Sequence, residues 1–286
     1  MTNNEEITNQ YVSVEDLIGS SNQLHDTHAH MDYLKKRDPS LDPAKLLANH
    51  EFWIQPGVNL ERDDFCLANY MQYNNMYFMI GAHPGEVNED FNLNLYLREQ
   101  VMLIEEYRNK IGTRIIGIGE IGLDYREGTS VEIKEKQKLL FVSQIKLANE
   151  LGLPFVIHCR NAFEDLFEIL QDNQGLIKRS FLIHCFTGSR QDLLTIKMLG
   201  GYVGLGGVIT YPSSKLLVEA IKDSEICDNY VLETDLPWLA PQDKRGQINM
   251  PDYIQFVAIK LANLQGVTSE NVWNRSRINT SKIFGI

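Results

Sequence analysis

Apolar stretches of strand length recur along the chain, at residues 23–28, 52–58, 76–82, 114–121, 154–158, 181–185, 202–208 and 230–234. Between them lie segments whose apolar residues repeat with a helical period. VEIKEKQKLLFVSQIKLANEL at 131–151 is the longest, and 162–171 is another. Strands that alternate with helices form parallel βα units, because a parallel neighbour is reached only by a crossover connection. Eight such units in about 250 residues are the size of a (β/α)8 TIM barrel, and this α/β fold is the one the pattern predicts. The runs at 52–58 and 202–208 carry the weakest strand pattern. No Pro/Gly/Ser linker, low-complexity segment or internal repeat interrupts the alternation, so one barrel domain is expected over 23–286. Residues 1–22 read as a polar, acidic extension with the composition of a disordered segment.

Polar residues gather at one end of the predicted strands. His28 and His30 close the first run, and His83 follows the third. Glu120 lies near the end of the fourth, His158 and His184 near the ends of the fifth and sixth, and Asp235 follows the eighth. In a barrel of parallel strands all of these share one rim, where barrel enzymes keep their active sites. One histidine at a strand end is ordinarily a satisfied structural residue. Five of the chain's 7 histidines at strand ends, with two carboxylates, are not explained that way.

The i, i+2 spacing in His28-Ala29-His30 puts both imidazoles on one side of an extended chain. Imidazole with carboxylate suits Zn, Mn or Fe, and Mg enters where oxygens dominate. His28, His30, Glu120, His158, His184 and Asp235 are more ligands than one tetrahedral ion takes with a water in place. Two divalent ions (Zn, Mn or Mg) that share Glu120 use them economically, one on His28, His30 and Asp235, the other on His158 and His184. Ions about 3.5–4 Å apart can activate a water and hold both oxygens of an in-line displacement.

One competing motif overlaps this set. In IIGIGEIGLDY at 115–125, Gly117-Ile118-Gly119-Glu120-Ile121-Gly122 spells G-x-G-x-x-G. A dinucleotide site needs that turn to open a helix whose N-terminus holds the pyrophosphate. Here the following LDYREG reads as loop and the next helix starts only near Val131. The glycines are expected instead as small residues at a crowded rim, and no dinucleotide is expected.

Composition narrows the classes. With 43% hydrophobic and 23% charged residues the chain is of ordinary globular composition. It holds no apolar run of about 18 residues to span a membrane, and its start shows no secretory signal pattern. Cys66, Cys159, Cys185 and Cys227 form no C-x-x-C pair, and reduced packing thiols of a cytoplasmic protein are expected. A net charge of −11 argues against a non-specific DNA coat. It permits a local site whose positive charge comes from metal ions.

Six ordered blocks then resemble a known family: DTHAH at 26–30, GAHP at 81–84, GEIGLDY at 119–125, PFVIHCR at 154–160, IHCFTGS at 183–189 and LETDLPWLAP at 232–241. Together they are similar to the TatD-type metal-dependent hydrolases, over about Leu24 to Ile286, and more distantly to amidohydrolase barrels. Glu120 fits the glutamate that this family commonly has where many amidohydrolases carry a carbamylated lysine. The resemblance implies a DNase that works with divalent metals, often exonucleolytic, with DNA single strands or ends as substrate. It also implies a phosphate-contacting or catalytic role for His83. Two departures stand out: an R-N-E-P-like block gives way to RGQINMP at 245–251, and the chain has extra residues before its first block. Asn161 replaces a commonly acidic residue.

Individual roles follow as expectations. Asp235 binds metal and accepts a proton from the attacking water. Glu233, two residues earlier on the same face, orients a ligand or forms a rim ion pair. Asp26 fixes a histidine tautomer, as carboxylates behind ligands do. Arg160 clamps a phosphate bidentately or pairs under the loop. Asp124 and Tyr125 steer the loop or the substrate. Ser189 is a helix cap or, with Thr187 and Gly188, a phosphate donor, and Gly204-Leu205-Gly206-Gly207 is a tight strand rather than a phosphate loop. Trp53, Trp238 and Trp273 are expected in the core, with Trp238, beside Asp235, the one placed to stack on a base. The alternative substrate is a small ester, amide or phosphoester at the same binuclear site. A barrel that had lost its chemistry would lack ligands, and none is missing.

Overall fold

The protein is seen here in a computed structural model that describes residues 24–286. The extension expected over 1–22, and Gln23 at the start of the first predicted strand, lie outside the described residues. Eight parallel strands follow one another around a sheet in chain order. They are β1 (Leu24–Asp26), β2 (His50–Gln55), β3 (Met76–Ile80), β4 (Ile115–Asp124), β5 (Phe155–Arg160), β6 (Phe181–Ile183), β7 (Tyr202–Leu205) and β8 (Tyr230–Leu232). The ends of β8 and β1 meet through backbone hydrogen bonds from Thr27 to Leu232, Asp235 to His28 and His30 to Leu236, at 2.9–3.3 Å. The sheet is thus a nearly closed barrel, as the alternating pattern predicted.

The helices between strands are α1 (Met31–Arg37), α2 (Pro43–Leu47), α3 (Leu60–Tyr70), α4 (Leu93–Ile111), α5 (Val131–Leu151), α6 (Phe163–Asp172), α7 (Arg190–Met198), α8 (Lys215–Ile221), α9 (Ile254–Gln265) and α10 (Ser269–Phe284). Helix α5 has the bounds its periodicity predicted. The Ser130 hydroxyl accepts the Ile133 N–H at its start, and Gly152 ends it at φ 68°, where a side chain would be strained. Ser189 forms a reciprocal capping box with Asp192 at the head of α7, the simpler of its two readings. Among the described residues no helix is long and apolar enough to cross a membrane.

Two apolar layers hold this frame. The larger packs the outer strand faces, Trp53 among them, against the helices. Inside the barrel Phe52, Ile54, Met79, Ile116, Val156, Leu182 and Val231 meet, and Ile283 and Phe284 at the end of α10 join the same cluster. Alternation then decides what stands above that floor. Two residues beyond Val156 comes His158, two beyond Leu182 comes His184, and beyond Val231 come Glu233 and Asp235. These three inward rows, on β5, β6 and β8, change from apolar to chemical within one step toward the C-terminal rim.

Strand ends depart from prediction in one direction that matters. Most strands leave the sheet before their apolar runs finish, but β4 continues through Leu123 and Asp124, which the sequence suggested were loop. Gly122 allows this. It pairs with His158 at φ 131°, and a Cβ there would lie 2.2 Å from the His158 carbonyl oxygen. The G-x-G-x-x-G glycines therefore sit within a strand that hugs its neighbour, and not at a strand-to-helix turn.

Candidate metal centre

The segment that carries the first two histidines is pinned from both sides. The Ala29 N–H donates to Ile54 and its carbonyl accepts the Trp53 indole N–H (2.8 Å), so this core tryptophan also anchors the rim. Asp26, fully buried, accepts the backbone N–H of His28 and of Thr234 (both 3.1 Å) and the Thr234 hydroxyl (2.6 Å). The expectation that Asp26 fixes a histidine tautomer is corrected here. It joins the ends of β1 and β8 through backbone, and no imidazole is among its hydrogen-bond partners. Asp63 does the same between strands β2 and β3, accepting the N–H of Val58 (2.8 Å) and Gly81 (3.1 Å).

Glu120 stands at the middle of the predicted set. Its Oε2 faces His28 Nε2 at 3.4 Å. Its Oε1 faces His158 Nδ1 at 2.6 Å, His184 Nε2 at 2.7 Å and His83 Nε2 at 3.4 Å. Asp235 Oδ1 lies 3.8 Å from His28 Nε2 and 3.7 Å from His30 Nε2. All six predicted ligands thus come together, and their donor atoms fall into overlapping groups within 4.8 Å of one another, among them His28–His30–Glu120, His28–His184–Asp235 and Glu120–His158–His184. Room for Glu120 comes from glycine. A Cβ at Gly57 would meet the backbone of Gly81 at 2.4 Å and of Gly119 at 2.6 Å.

The charge state of this cluster calls for cations. Burial works against ionised Glu120, but neighbouring His184 and His83 and hydrogen bonds from His158 and His184 hold its carboxyl well below the usual range. Burial also disfavours the charged His158 ring, yet Asp124 and Glu120 raise it to about 9. For Asp235 burial and then the Glu120 charge outweigh the nearby His158 and push its carboxyl well above the usual range. Burial likewise lowers His184 to about 3. Both ring nitrogens of His28, Nδ1 of His30 and Nδ1 of His184 are buried with no hydrogen-bond partner among the described residues. Imidazole nitrogens without hydrogen-bond partners beside the carboxyl groups of Glu120 and Asp235 are a donor set that fits divalent metal.

The surrounding residues divide into those the structure brings to the site and those it does not. The cleft above Glu120, of about 420 Å³, is lined by His83, Arg160 and Trp238 as expected, and also by Tyr33, Glu86 and Arg126. His83 Nδ1 accepts the Gly85 N–H (2.9 Å), which leaves the ring proton on Nε2, facing the cleft. Asp124 lies under the cleft: its Oδ2 takes Arg126 at 2.7–2.8 Å and stands 3.6 Å from His158 Nε2. It supports His158 and Arg126 rather than reaching outward. Tyr125 does not line the cleft; its hydroxyl donates to Asp165 on α6 (2.6 Å), which corrects its placement among substrate contacts. Among the described residues Glu233 makes no ion pair with Lys or Arg. It accepts the Cys185 N–H and lies 3.8 Å from His184 Nδ1.

Sequence reasoning missed Arg126, Tyr33 and Asn249. The last falls in the segment that departs from the family's R-N-E-P pattern. Asn249 is buried and donates to the carbonyls of Thr234 (2.8 Å) and Trp238 (2.7 Å), holding the loop that carries Asp235. Asp235, Cys185 and Asn161, each at a strand end, occupy the left-handed region at φ 55°, 46° and 54°. Such conformations cost about 1–3 kcal/mol each and concentrate at functional sites. The four cysteines are free, and Cys159 packs on the outer core, opposite the His158 ring.

A parallel barrel with this rim defines a metal-dependent hydrolase. The model of the family described as TatD related DNase matches residues 25–285. The chain is 31% identical over 268 residues to the uncharacterized metal-dependent hydrolase YabD of Bacillus subtilis, covering 92% of this chain and 99% of that protein. It is 31% identical over 177 residues to the 3'-5' ssDNA/RNA exonuclease TatD of Erwinia tasmaniensis, covering 60% of this chain and 67% of that one. The crystal structure of YjjV, a TatD homologue from Escherichia coli K12, superposes with a TM-score of 0.77 at 26% identity, over 92% of this chain and 98% of that chain. The chain belongs to the TatD family.

Proposed function

We propose that this protein hydrolyses phosphodiester bonds of DNA, working from unpaired ends, with two divalent ions held on either side of Glu120. One observation carries the reading. The two oxygens of Glu120 face different groups of imidazoles, Oε2 toward His28 and Oε1 toward His158 and His184. A carboxylate so divided is suited to bridging two ions. His28, His30 and Asp235 would hold one, and His158 and His184 the other. Held there, paired ions would supply positive charge to polarise a phosphoryl group and to acidify a water. Asp235, at the cleft edge of its group, takes the proton of the attacking water. His83 donates its Nε2 proton to a phosphoryl oxygen. Arg160, exposed and only 4.0 Å from Asp124 at its nearest, is available to a flanking phosphate. The Erwinia relative's name supports a nucleic-acid substrate.

Stripping the protein with chelator, restoring Mg²⁺, Mn²⁺ or Zn²⁺ separately, and adding end-labelled single-stranded DNA tests this. Laddered cleavage that needs metal and disappears in Asp235→Asn supports the nuclease and names its ion. Two metals bound per chain with no cleavage under any ion would reject DNA and move the search to small esters, amides and phosphoesters.

A further inference from the structure

The cleft has two unlike walls. Beside His158 the lining is cationic, from Arg126 and Arg160; beside His30 it is aromatic, from Tyr33 on α1 and Trp238 after β8. The Tyr33 and Trp238 rings meet edge to face at 4.7 Å, and His30 closes the triangle at 5.5 and 5.1 Å. Both side chains are half-buried, whereas Trp53 and Trp273 are fully buried.

Each ring is held in place. The Arg62 guanidinium lies 3.6 Å from the Tyr33 ring centroid and is itself bound by Asp32. Arg62 also lines a separate cleft with Lys35 and Phe65. Trp238 is fixed through its backbone, its N–H donating to Asp235 (3.0 Å) and its carbonyl accepting from Asn249. Phosphate recognition alone needs no rigid π surface here, and a flat π system is what such a surface takes.

We propose that the Trp238 ring, braced edge to face by Tyr33, is the platform on which the base beside the scissile phosphate stacks, so that the enzyme reads an unpaired base and not the backbone alone. The inference rests on the nuclease reading above. With the phosphate at Glu120, its base falls toward Tyr33 and Trp238, and the next phosphate toward Arg160. A base still paired in a duplex cannot turn onto the rings, so paired ends must open first.

The test compares two end-labelled single strands, identical except that one carries an abasic residue at the cleaved end. Wild type, Trp238→Leu and the ring-retaining Trp238→Phe are each assayed on both, with bound metal measured alongside. Loss of one stack is expected to lower kcat/KM about tenfold. Wild type should show that drop on the abasic strand. Trp238→Leu should show it on the natural strand and little further loss on the abasic one, and Trp238→Phe should recover most of the discrimination. Fluorescence of the half-buried Trp238 should be quenched by the natural strand more than by the abasic one. Equal losses on both strands in Trp238→Leu, or loss of metal, would reduce the rings to packing around His30 and overturn the platform. Wild type cleaving both strands equally would overturn the platform and leave the nuclease standing. Cleavage of neither strand with any ion would remove the nuclease reading and the platform with it.

Discussion

Gly204 offers the sharpest test of how the barrel interior serves the metal centre. A Cβ at this position would lie 2.1 Å from Glu233 Oε2 and 2.5 Å from its Cδ. A flexible side chain would ordinarily yield. Glu233 is completely buried, with Oε1 accepting the Cys185 N–H, and burial already pushes its carboxyl well above the usual range. Gly204→Ala must therefore displace the carboxyl and leave the Cys185 N–H without its partner. Overpacking strain of about 1–3 kcal/mol adds to about 1–3 kcal/mol for the orphaned donor, so a loss of about 2–6 kcal/mol is expected.

The same displacement removes the carboxylate 3.8 Å from His184 Nδ1. At 3.8 Å Glu233 makes no hydrogen bond to that ring, so Gly204→Ala should need more metal for half-saturation, by less than the about 10–100-fold of a directly bonded supporting group. Urea denaturation of the metal-free protein reads the first effect, and titration in metal buffers the second. The cycle with Glu233→Ala isolates the contact, because truncating the carboxylate gives the new methyl its space. The double variant should be more stable than the sum of the single losses by at least about 1 kcal/mol. Gly204→Ala within about 0.5 kcal/mol of wild type, or a strictly additive cycle, would refute the reasoning.

Glu120→Gln keeps shape but removes the shared charge. It should lower both bound metal and rate by more than the about 10–100-fold of a merely supporting group, and full metal content at an unchanged rate would sink the bridging role. Asn249→Ala leaves the carbonyls of Thr234 and Trp238 without their buried donor, so thermal unfolding should report a loss of about 2–4 kcal/mol. His50 is buried, with Nδ1 bonded to the Leu46 carbonyl, and burial lowers it from 6.5 to about 4. The unfolded chain therefore takes a proton that the native ring refuses as pH falls from 6.5 to 4, and native stability declines across that window, by about 2 kcal/mol at pH 5. His50→Gln should lack this part of the decline, and urea unfolding at pH 7 and pH 5 with the same difference in both proteins would contradict it.

How much of this was legible in sequence follows from the range over which each interaction acts. The barrel was legible because its strands and helices carry local periods, and α5 matched its period to the residue. That the six candidate ligands meet was legible because each ends an apolar run, and a parallel barrel converts "end of run" into "same rim". The supports of those ligands were not, because their partners are remote and of ordinary types. Asp26 meets Thr234 across 208 positions, Asn249 reaches back to Thr234 and Trp238, and Arg62 covers Tyr33. No local pattern marks such pairs. Tyr125 was misplaced for a related reason: one residue beyond the end of β4, its direction is set by Asp165 on a different helix. The glycine motif shows the converse. Gly122 is required by the His158 carbonyl of the neighbouring strand, so G-x-G-x-x-G here records the close approach of β4 to β5. That approach sets Glu120 beside His158, which makes the glycines part of the metal centre without any of them touching a ligand atom.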